Sequence, residues 1–414
     1  MVTTTVSPIF RWSGATTAQR NTLIAAGLGW TLNGFDVMLY SLVVTQLMAE
    51  FGMDKATAGL LNALTLVASA IGSLFFGLLA DRYGRRRMLA YSIVTYSVFT
   101  FASGLATSVV TLGACRFLLG LGMGGEWNCG ATLVAESWPA AWRGRAMGLV
   151  LSGWAVGYAL AAVVAGLVLP IGGWRWVFFA GLAPVLLALW IKNHVAEPAI
   201  WQEHARKGRA AAENTRALWR AAWPGLIALL TMNTFGMFAW WGLFSWLPAY
   251  LILPASQGGR DFAMLGTTAF LVVINLGGIL PGYLFFGVFA DRFGRKQSTV
   301  AYLAIAALMV PVFAMAREPA AVLLAGCLTA FFGTGFFAGS GIMGSELFPT
   351  PIRAAALGLS YNLARGISAS APWVIGTLGE TRGLAWAFLA CGVAYAAAAL
   401  SAARVPAIRS AELE

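Results

Sequence analysis

Apolar runs long enough to cross a lipid bilayer recur along almost the whole of this 414-residue chain. A helix needs about 20 apolar residues to cross a hydrocarbon core of ~30 Å. The runs show none of the period-two alternation that is typical of a membrane barrel strand. The sequence therefore predicts an all-α membrane protein with twelve transmembrane helices, at residues 22–47, 57–80, 88–106, 109–135, 144–169, 174–192, 223–251, 263–290, 298–315, 319–345, 354–378 and 382–404.

The scarcity of charged residues supports a membrane environment. Charged residues make up 10% of the chain, whereas a soluble domain carries roughly a quarter. So few charges cannot cover a water-facing surface, and we expect the lipid bilayer to be the main partner. The net charge of +11 does not indicate nucleic-acid binding, because the basic residues lie mostly in the loops between apolar runs. We also expect a monomer.

A charged turn occurs twice, in the same register. The first copy, GLLADRYGRR, covers residues 77–86, and the second, GVFADRFGRK, covers residues 287–296, which is 210 residues later. A second pattern repeats with the same offset and is described below. Two patterns in register predict a duplicated six-helix unit, an architecture known in secondary transporters. The predicted organisation is an N-terminal arm, a first bundle, a central loop, a second bundle and a C-terminal arm, at residues 1–21, 22–192, 193–222, 223–404 and 405–414.

The distribution of basic residues predicts the orientation in the membrane. Most of the 27 Lys and Arg residues fall in the two arms, the central loop and every second loop between spans. Basic residues are concentrated on the cytoplasmic side of membrane proteins. We therefore expect both termini and the central loop in the cytoplasm, and a multi-pass protein of the plasma membrane (the inner membrane in a bacterium). The alternate loops hold only Lys55, Arg175, Arg260, Arg317 and Arg382.

The sequence contains no pattern that is typical of an enzyme. The four cysteines all lie within apolar runs without metal-ligand spacing, so we expect buried small side chains and no metal site. There is no phosphate-binding loop and no nucleophile elbow, so neither catalysis nor ATP-driven transport is predicted, and no cofactor is expected. A membrane sensor is an alternative, but neither arm is long enough for a signalling domain.

The repeated patterns resemble those of the major facilitator superfamily along essentially the whole chain. The resemblance rests on G-x-x-x-D-R-x-G-R at residues 77–85 and 287–295, and on E-x6-R at residues 136–143 and 346–353. It implies a major facilitator fold of two six-helix halves that transports by alternating access. It also implies a cytoplasmic gate of charged residues that hold one state and separate in the other, namely Asp81, Arg82, Arg85, Glu136, Arg143, Asp291, Arg292, Arg295, Glu346 and Arg353.

Four ionisable residues fall within predicted spans: Asp36, Arg116, Glu126 and Arg365. Such residues are costly in a membrane and are functional candidates by default. Residues 34–36 and 116–124 resemble proton-coupled sugar porters and sialate and aromatic-acid symporters, which implies a proton-coupling pair of Asp36 and Arg116. The alternative is a fixed structural ion pair.

Glu126 is either a second protonation site or an acid that packs between helices. It lies ten residues beyond Arg116, which places it about 15 Å further along the helix axis. We therefore do not expect Glu126 and Arg116 to pair with each other.

Arg365 is the candidate for binding a substrate anion. The residue 210 positions earlier is Ala155, so this charge is not part of the duplicated scaffold. An arginine near the middle of a membrane can hold a carboxylate with two parallel hydrogen bonds. Asn362 lies one turn earlier on the same helix face. Further substrate-binding candidates at similar depth are Asn33, Asn233, Asn275 and Trp241.

Together these features predict a proton-coupled symporter that takes up a small organic anion such as a carboxylate, a sialate or an aromatic acid. A proton-coupled exporter of drugs or metabolites is the first alternative. Its usual helix 5 signature has proline after the second glycine, whereas Gly157 is followed here by Tyr158. A sugar or polyol symporter is the second alternative. The expected partners are therefore a small organic anion and protons.

Overall fold

A computed structural model describes residues 14–198, 201, 216–348 and 350–406. These residues form helices joined by short connections, and no strand occurs among them. A π-helical segment, Asn275–Ile279, and a short 3-10 turn, Ala255–Gln257, interrupt the α-helical pattern. The α-helices are α1 (Thr17–Phe51), α2 (Lys55–Tyr83), α3 (Arg85–Ser103), α4 (Val109–Ser137), α5 (Ala140–Ala180), α6 (Pro184–His194), α7 (Arg216–Ile252), α8 (Met264–Ile274), α9 (Leu280–Phe293), α10 (Arg295–Met315), α11 (Pro319–Leu347), α12 (Thr350–Ser368), α13 (Ala371–Arg382) and α14 (Leu384–Ala403).

The predicted all-α membrane fold is confirmed. Within the described ranges, nine helices are long and apolar enough to cross a membrane. One of them, the 50-residue stretch Arg145–His194, contains both the fifth and the sixth predicted spans. The third predicted span, α3, is not among the nine because it begins with three arginines. The eleventh predicted span is not among them because it is divided between α12 and α13. With these included, the chain makes the twelve predicted crossings.

Two helices begin inside the predicted N-terminal arm and the predicted central loop. α1 begins at Thr17, inside the predicted N-terminal arm, because Thr16 and Gln19 form a capping box. The Gln19 backbone N–H donates to Thr16 Oγ1 at 3.2 Å, and the Thr16 N–H donates to Gln19 Oε1 at 3.0 Å. α7 begins at Arg216, inside the predicted central loop. Residues 1–13, 202–215 and 407–414 of the predicted arms and loop lie outside the described residues.

The two repeated turns lie at the same end of the bundle, because an even number of crossings separates them. We call this end the charged end. In each turn a glycine with positive φ, Gly84 at 112° and Gly294 at 90°, ends one helix and begins the next. Glycine adopts this conformation without the steric penalty of a β-carbon. α2 therefore passes directly into α3, and α9 into α10.

Small residues let the helices of the first half approach closely. α4 packs between α2 and α3, and its glycines face the backbone of both neighbours. A β-carbon at Gly124 would lie 1.9 Å from the Ser69 carbonyl oxygen, and one at Gly120 would lie 2.3 Å from that of Thr65. Close packing of small residues is a main source of helix association in membranes. The glycine-rich part of α4 is thus explained by its packing against α2.

We expect Gly124→Ala to lower the midpoint of thermal unfolding of the detergent-solubilised protein. The added methyl group has to displace the Ser69 backbone in α2, and overpacking of this kind costs about 1–3 kcal/mol. Gly341→Ala is the matched control, because no atom lies within 4 Å of a β-carbon built there. The control should keep its midpoint. An equal midpoint for both variants would contradict a tight contact between α2 and α4.

The two halves also contact each other at the end opposite to the charged turns. The Lys55 backbone N–H donates to the Glu380 carboxylate, and the Lys55 ammonium group donates to the Gly379 carbonyl oxygen at 3.4 Å. Tyr158 donates to the Phe244 carbonyl oxygen at 3.1 Å. These bonds join α2 to α13 and α5 to α7. They hold the halves together on that side of the cavity described next.

Candidate functional site

A narrow cavity lies between the two halves. α1 and α5 of the first half and α7, α9, α11 and α12 of the second half contribute its walls. Arg365 is the one charged residue among the described residues that line it. The lining residues are Trp30, Leu151, Trp154, Met237, Trp240, Trp241, Tyr283, Phe337, Tyr361 and Arg365.

Arg365 is the polar centre of this cavity. Its side chain is 3% exposed, and its terminal nitrogen Nη1 has no hydrogen-bond partner among the described residues. Arg365 also forms no ion pair with any described residue. A buried cation without a counterion is costly, and an anion that enters the cavity reduces this cost. Arg365 is therefore a candidate for binding an anion that enters the cavity.

Aromatic rings form most of the remaining surface. The rings of Trp30 and Trp154 lie 5.0 Å apart between centroids, and those of Trp154 and Trp241 lie 5.8 Å apart. Trp127 contacts Trp30 at 4.4 Å and stacks on Tyr361 at 6.0 Å, which joins α4 to α12 across the interface between the halves. Flat apolar faces thus surround a single guanidinium group.

Glu126 lies in the first half and faces α1. It is 1% exposed and accepts a hydrogen bond from Asn33 Nδ2 at 3.1 Å. The absence of a side chain at Gly29 makes room for it, since a β-carbon there would lie 2.7 Å from Glu126 Oε1. Glu126 and Arg365 attract each other electrostatically without forming an ion pair within 4.0 Å. Both readings of Glu126, a protonation site and a packing acid, agree with this position.

Asp36 and Arg116 lie in a separate buried cluster within the first half. Asp36 Oδ2 accepts from Thr100 at 2.9 Å, and Arg116 Nε donates to Thr65 at 3.1 Å. The Arg116 guanidinium group covers the ring of Tyr40 at 4.7 Å. Asp36 and Arg116 interact electrostatically, but they do not form the direct ion pair expected from the sequence. Asp36 instead bonds to Thr100, and Arg116 contacts Thr65 and the Tyr40 ring. As expected, Arg116 and Glu126 do not pair.

The predicted asparagines occupy four different environments. Asn362 bonds across the interface, accepting from Ser73 at 2.8 Å. Asn275 lies in the π-helical segment and donates to its own helix at Leu271 O. Asn233 is buried, and neither side-chain polar atom has a partner among the described residues. Asn33 bonds to Glu126, as given above. None of the four lines the cavity, whereas the predicted Trp241 does.

The charged-end residues form ion pairs within each half. Arg85 pairs with Asp81 and, at 3.2 Å, with Glu136. In the second half Arg295 pairs with Glu346 and lies 4.0 Å from Asp291. Arg82 and Arg292 instead lie over the adjacent rings of Tyr83 and Phe293. The side chains of Arg143 and Arg353 lie outside the described residues.

One contact at this end was not predicted from the sequence. Glu197, after α6, accepts from the backbone N–H groups of Arg86 and Arg87 at 3.2 and 3.4 Å. It thereby caps the start of α3, a position where a carboxylate is favoured by the helix dipole. Its partner is a backbone terminus, so no spacing of charged side chains could have indicated it.

Comparison with known proteins is consistent with this architecture. Residues 26–258 match the sequence profile of the Major Facilitator Superfamily. The chain belongs to the Major Facilitator Superfamily. It is therefore a membrane transporter and not an enzyme, as predicted.

Two relatives and one solved structure illustrate the relationship of this transporter to its superfamily. A probable 4-methylmuconolactone transporter of Cupriavidus pinatubonensis is 35% identical over 98% of this chain and 95% of its own length. The sialic acid transporter NanX of Escherichia coli is 33% identical over 92% of each chain. A bacterial homologue of the human lysosomal transporter Spinster, solved in an inward-facing conformation, has the same fold, with a TM-score of 0.74 and 18% identity, over 96% of this chain and 100% of its own.

Proposed function

We propose that this transporter carries a small organic anion into the cell together with a proton. The observation that carries the proposal is the buried Arg365 guanidinium group, which lies in the cavity between the halves and forms no ion pair within 4.0 Å among the described residues. Two relatives are named as transporters of 4-methylmuconolactone and sialic acid. Both compounds are small organic acids, which supports the assignment of an anion.

The aromatic walls favour a flat anion. Apart from Arg365, the lining consists of seven aromatic side chains and the apolar side chains of Leu151 and Met237. A conjugated or aromatic acid buries both of its faces against such rings. A sugar or polyol would leave several hydroxyl groups without partners, and unpaired buried polar groups are costly. We therefore place an unsaturated or aromatic carboxylate before a sugar.

The electrostatic attraction between Glu126 and Arg365 supports proton coupling. An ionised Glu126 and a bound carboxylate would both depend on the single positive charge of Arg365. A proton on Glu126 removes this competition, so that one anion and one proton leave the site neutral overall. Binding that neutralises buried charge is favoured in a medium of low dielectric constant. In this proposal Glu126 is the main coupling acid.

Asp36 and Arg116 are the second candidates for coupling. Arg116 is fully buried, and both of its terminal nitrogens lack a hydrogen-bond partner among the described residues. A pair that is close but not in contact can approach and separate when helices move. The pair does not line the cavity, so its effect on the substrate would be indirect. Comparison of Asp36 and Glu126 variants, described in the Discussion, separates the two candidates.

The duplicated charged ends are proposed to form the cytoplasmic gate. The ion pairs within each half fix the charged turns, and the repeated sequence pattern adds Arg143 and Arg353 to the proposed gate. This orientation places both termini and the central loop in the cytoplasm, in agreement with the distribution of Lys and Arg. We further propose a plasma-membrane location and a monomer.

We expect an imposed proton gradient, acid outside, to drive accumulation of a flat organic acid in proteoliposomes. Benzoate and nicotinate are suitable radiolabelled probes, because both are flat monocarboxylates. Accumulation should exceed equilibrium several-fold and should collapse when a protonophore is added. Empty liposomes correct for passive entry of the neutral acids. Uphill accumulation that persists with the protonophore would contradict proton coupling.

A further inference from the structure

Two tryptophans of the cavity have unused hydrogen-bond donors. The indole N–H groups of Trp30 and Trp154 are buried, and neither has an acceptor among the described residues. Other buried indoles are satisfied: Trp240 donates to Thr334 Oγ1 at 3.1 Å, and Trp246 donates to the Pro372 carbonyl oxygen at 2.8 Å. Buried polar groups almost always have partners, so each exception calls for an explanation.

The two tryptophans that carry these donors are neighbours in the cavity lining. Trp30 on α1 and Trp154 on α5 both line the cavity, and their rings lie 5.0 Å apart. Both helices belong to the first half, whereas Arg365 lies on α12 of the second half. The lining thus contains hydrogen-bond donors from both halves. The two tyrosines that line the cavity, Tyr283 and Tyr361, also belong to the second half.

We propose that Trp30 and Trp154 determine specificity by donating hydrogen bonds to a neutral acceptor on the substrate. The substrate would then be a flat monocarboxylate with a ring nitrogen or a carbonyl oxygen away from its carboxylate. This inference rests on the proposed function, because it assumes that Arg365 holds the carboxylate. A second carboxylate is a poorer match, since the lining contains one cation and Glu126 lies nearby.

Such a substrate is bound by both halves at once. Its carboxylate contacts Arg365, and its neutral acceptor contacts the indole pair. An anion without the neutral acceptor contacts only Arg365 and leaves the two buried indole donors unpaired. The tryptophans therefore discriminate between acids of the same shape and charge, in the way that a site built for a hydrogen bond rejects an analogue that lacks it.

Matched ligands test this inference on the full chain in detergent by isothermal titration calorimetry. Benzoate has no second acceptor, whereas nicotinate and isonicotinate have the same shape and carry one ring nitrogen. For the wild-type protein we expect at least one pyridine carboxylate to bind about 10-fold more tightly than benzoate. Trp30→Phe and Trp154→Phe keep a ring but remove the donor, and each should reduce this ratio to about 3-fold or less.

Trp240→Phe is the control, because Trp240 lines the same cavity but its N–H group already has a protein acceptor. It should leave the ratio of affinities unchanged, even if both affinities fall. Equal wild-type affinities for all three acids would overturn the inference while leaving the proposed function intact. A ratio unchanged in both Trp30→Phe and Trp154→Phe would do the same. If none of the acids binds, or if Arg365→Gln binds them as well as the wild type does, the proposed function fails and the inference fails with it.

Discussion

Replacement of Arg365 by glutamine is expected to weaken binding of organic anions at least about 100-fold. The substitution removes the one charge among the described lining residues and leaves a shorter, polar side chain. Hydrogen bonds to charged groups contribute about 1.5–3 kcal/mol each, and a guanidinium group can form two to one carboxylate. A loss of about 2.7 kcal/mol or more corresponds to the stated factor.

Arg365→Lys separates charge from geometry. Lysine keeps the positive charge but cannot form two parallel hydrogen bonds to a carboxylate. We therefore expect an affinity between those of the wild type and Arg365→Gln, measured by calorimetry with the same acids. Arg382→Gln is the control, since Arg382 ends α13 on the exposed surface. An Arg365→Gln variant that folds and binds with wild-type affinity would remove Arg365 from the site.

The sequence was sufficient to predict the fold because lipid imposes strict requirements on a chain. Backbone groups in a membrane must be satisfied within the spanning segment, so a long apolar run has to be helical. The repeated turns then define the two halves. Helix edges were less accurate where local chemistry decided them. Hydropathy alone cannot detect the capping box at Thr16 and Gln19. It did separate the fifth span from the sixth, and the helix breaks between them at Gly173, where φ is 68°.

The site could be predicted only in part, for a physical reason. An ionisable residue in an apolar run has no structural explanation in the sequence, so Arg365 and Glu126 stand out. Tryptophans are common in apolar runs of every kind, and most lie at the membrane surface or in the core. The sequence singled out Trp241 as a substrate-binding candidate, and Trp241 lines the cavity. It missed Trp30 and Tyr361, although Tyr361 lies one turn before Arg365.

Pairs of charges were harder to predict than single charges. Asp36 and Arg116 were matched by sign, yet each has a closer polar partner supplied by a neighbouring helix. Those partners are threonines, which carry no charge and occur in most of the predicted spans. The charged end shows the opposite outcome, since Arg85 and Glu136 are paired in the structure. At the charged end, the sequence contains the same arrangement twice, once in each half. Asp36 in α1 and Arg116 in α4 have no such repeat.

Glu126→Gln is expected to abolish uphill uptake while leaving exchange of the anion across the membrane measurable. Glutamine has nearly the shape of a protonated glutamate and cannot release a proton. The variant should therefore bind the anion at least as well as the wild type, because no ionised carboxylate competes for Arg365. Counterflow in proteoliposomes, with labelled acid outside and unlabelled acid inside, measures the retained exchange. Accumulation under a proton gradient measures the lost coupling.

Asp36→Asn tests whether the coupling acid is Glu126 or Asp36. Asp36 does not line the cavity and lies beside Arg116, so its neutralisation should leave anion affinity unchanged. If Glu126 is the coupling acid, Asp36→Asn keeps uphill uptake, and the pH dependence of binding disappears only in Glu126→Gln. The reverse result, with uphill uptake lost in Asp36→Asn and retained in Glu126→Gln, would move the coupling step to the Asp36 cluster. Glu126 would then be a packing acid held by Asn33.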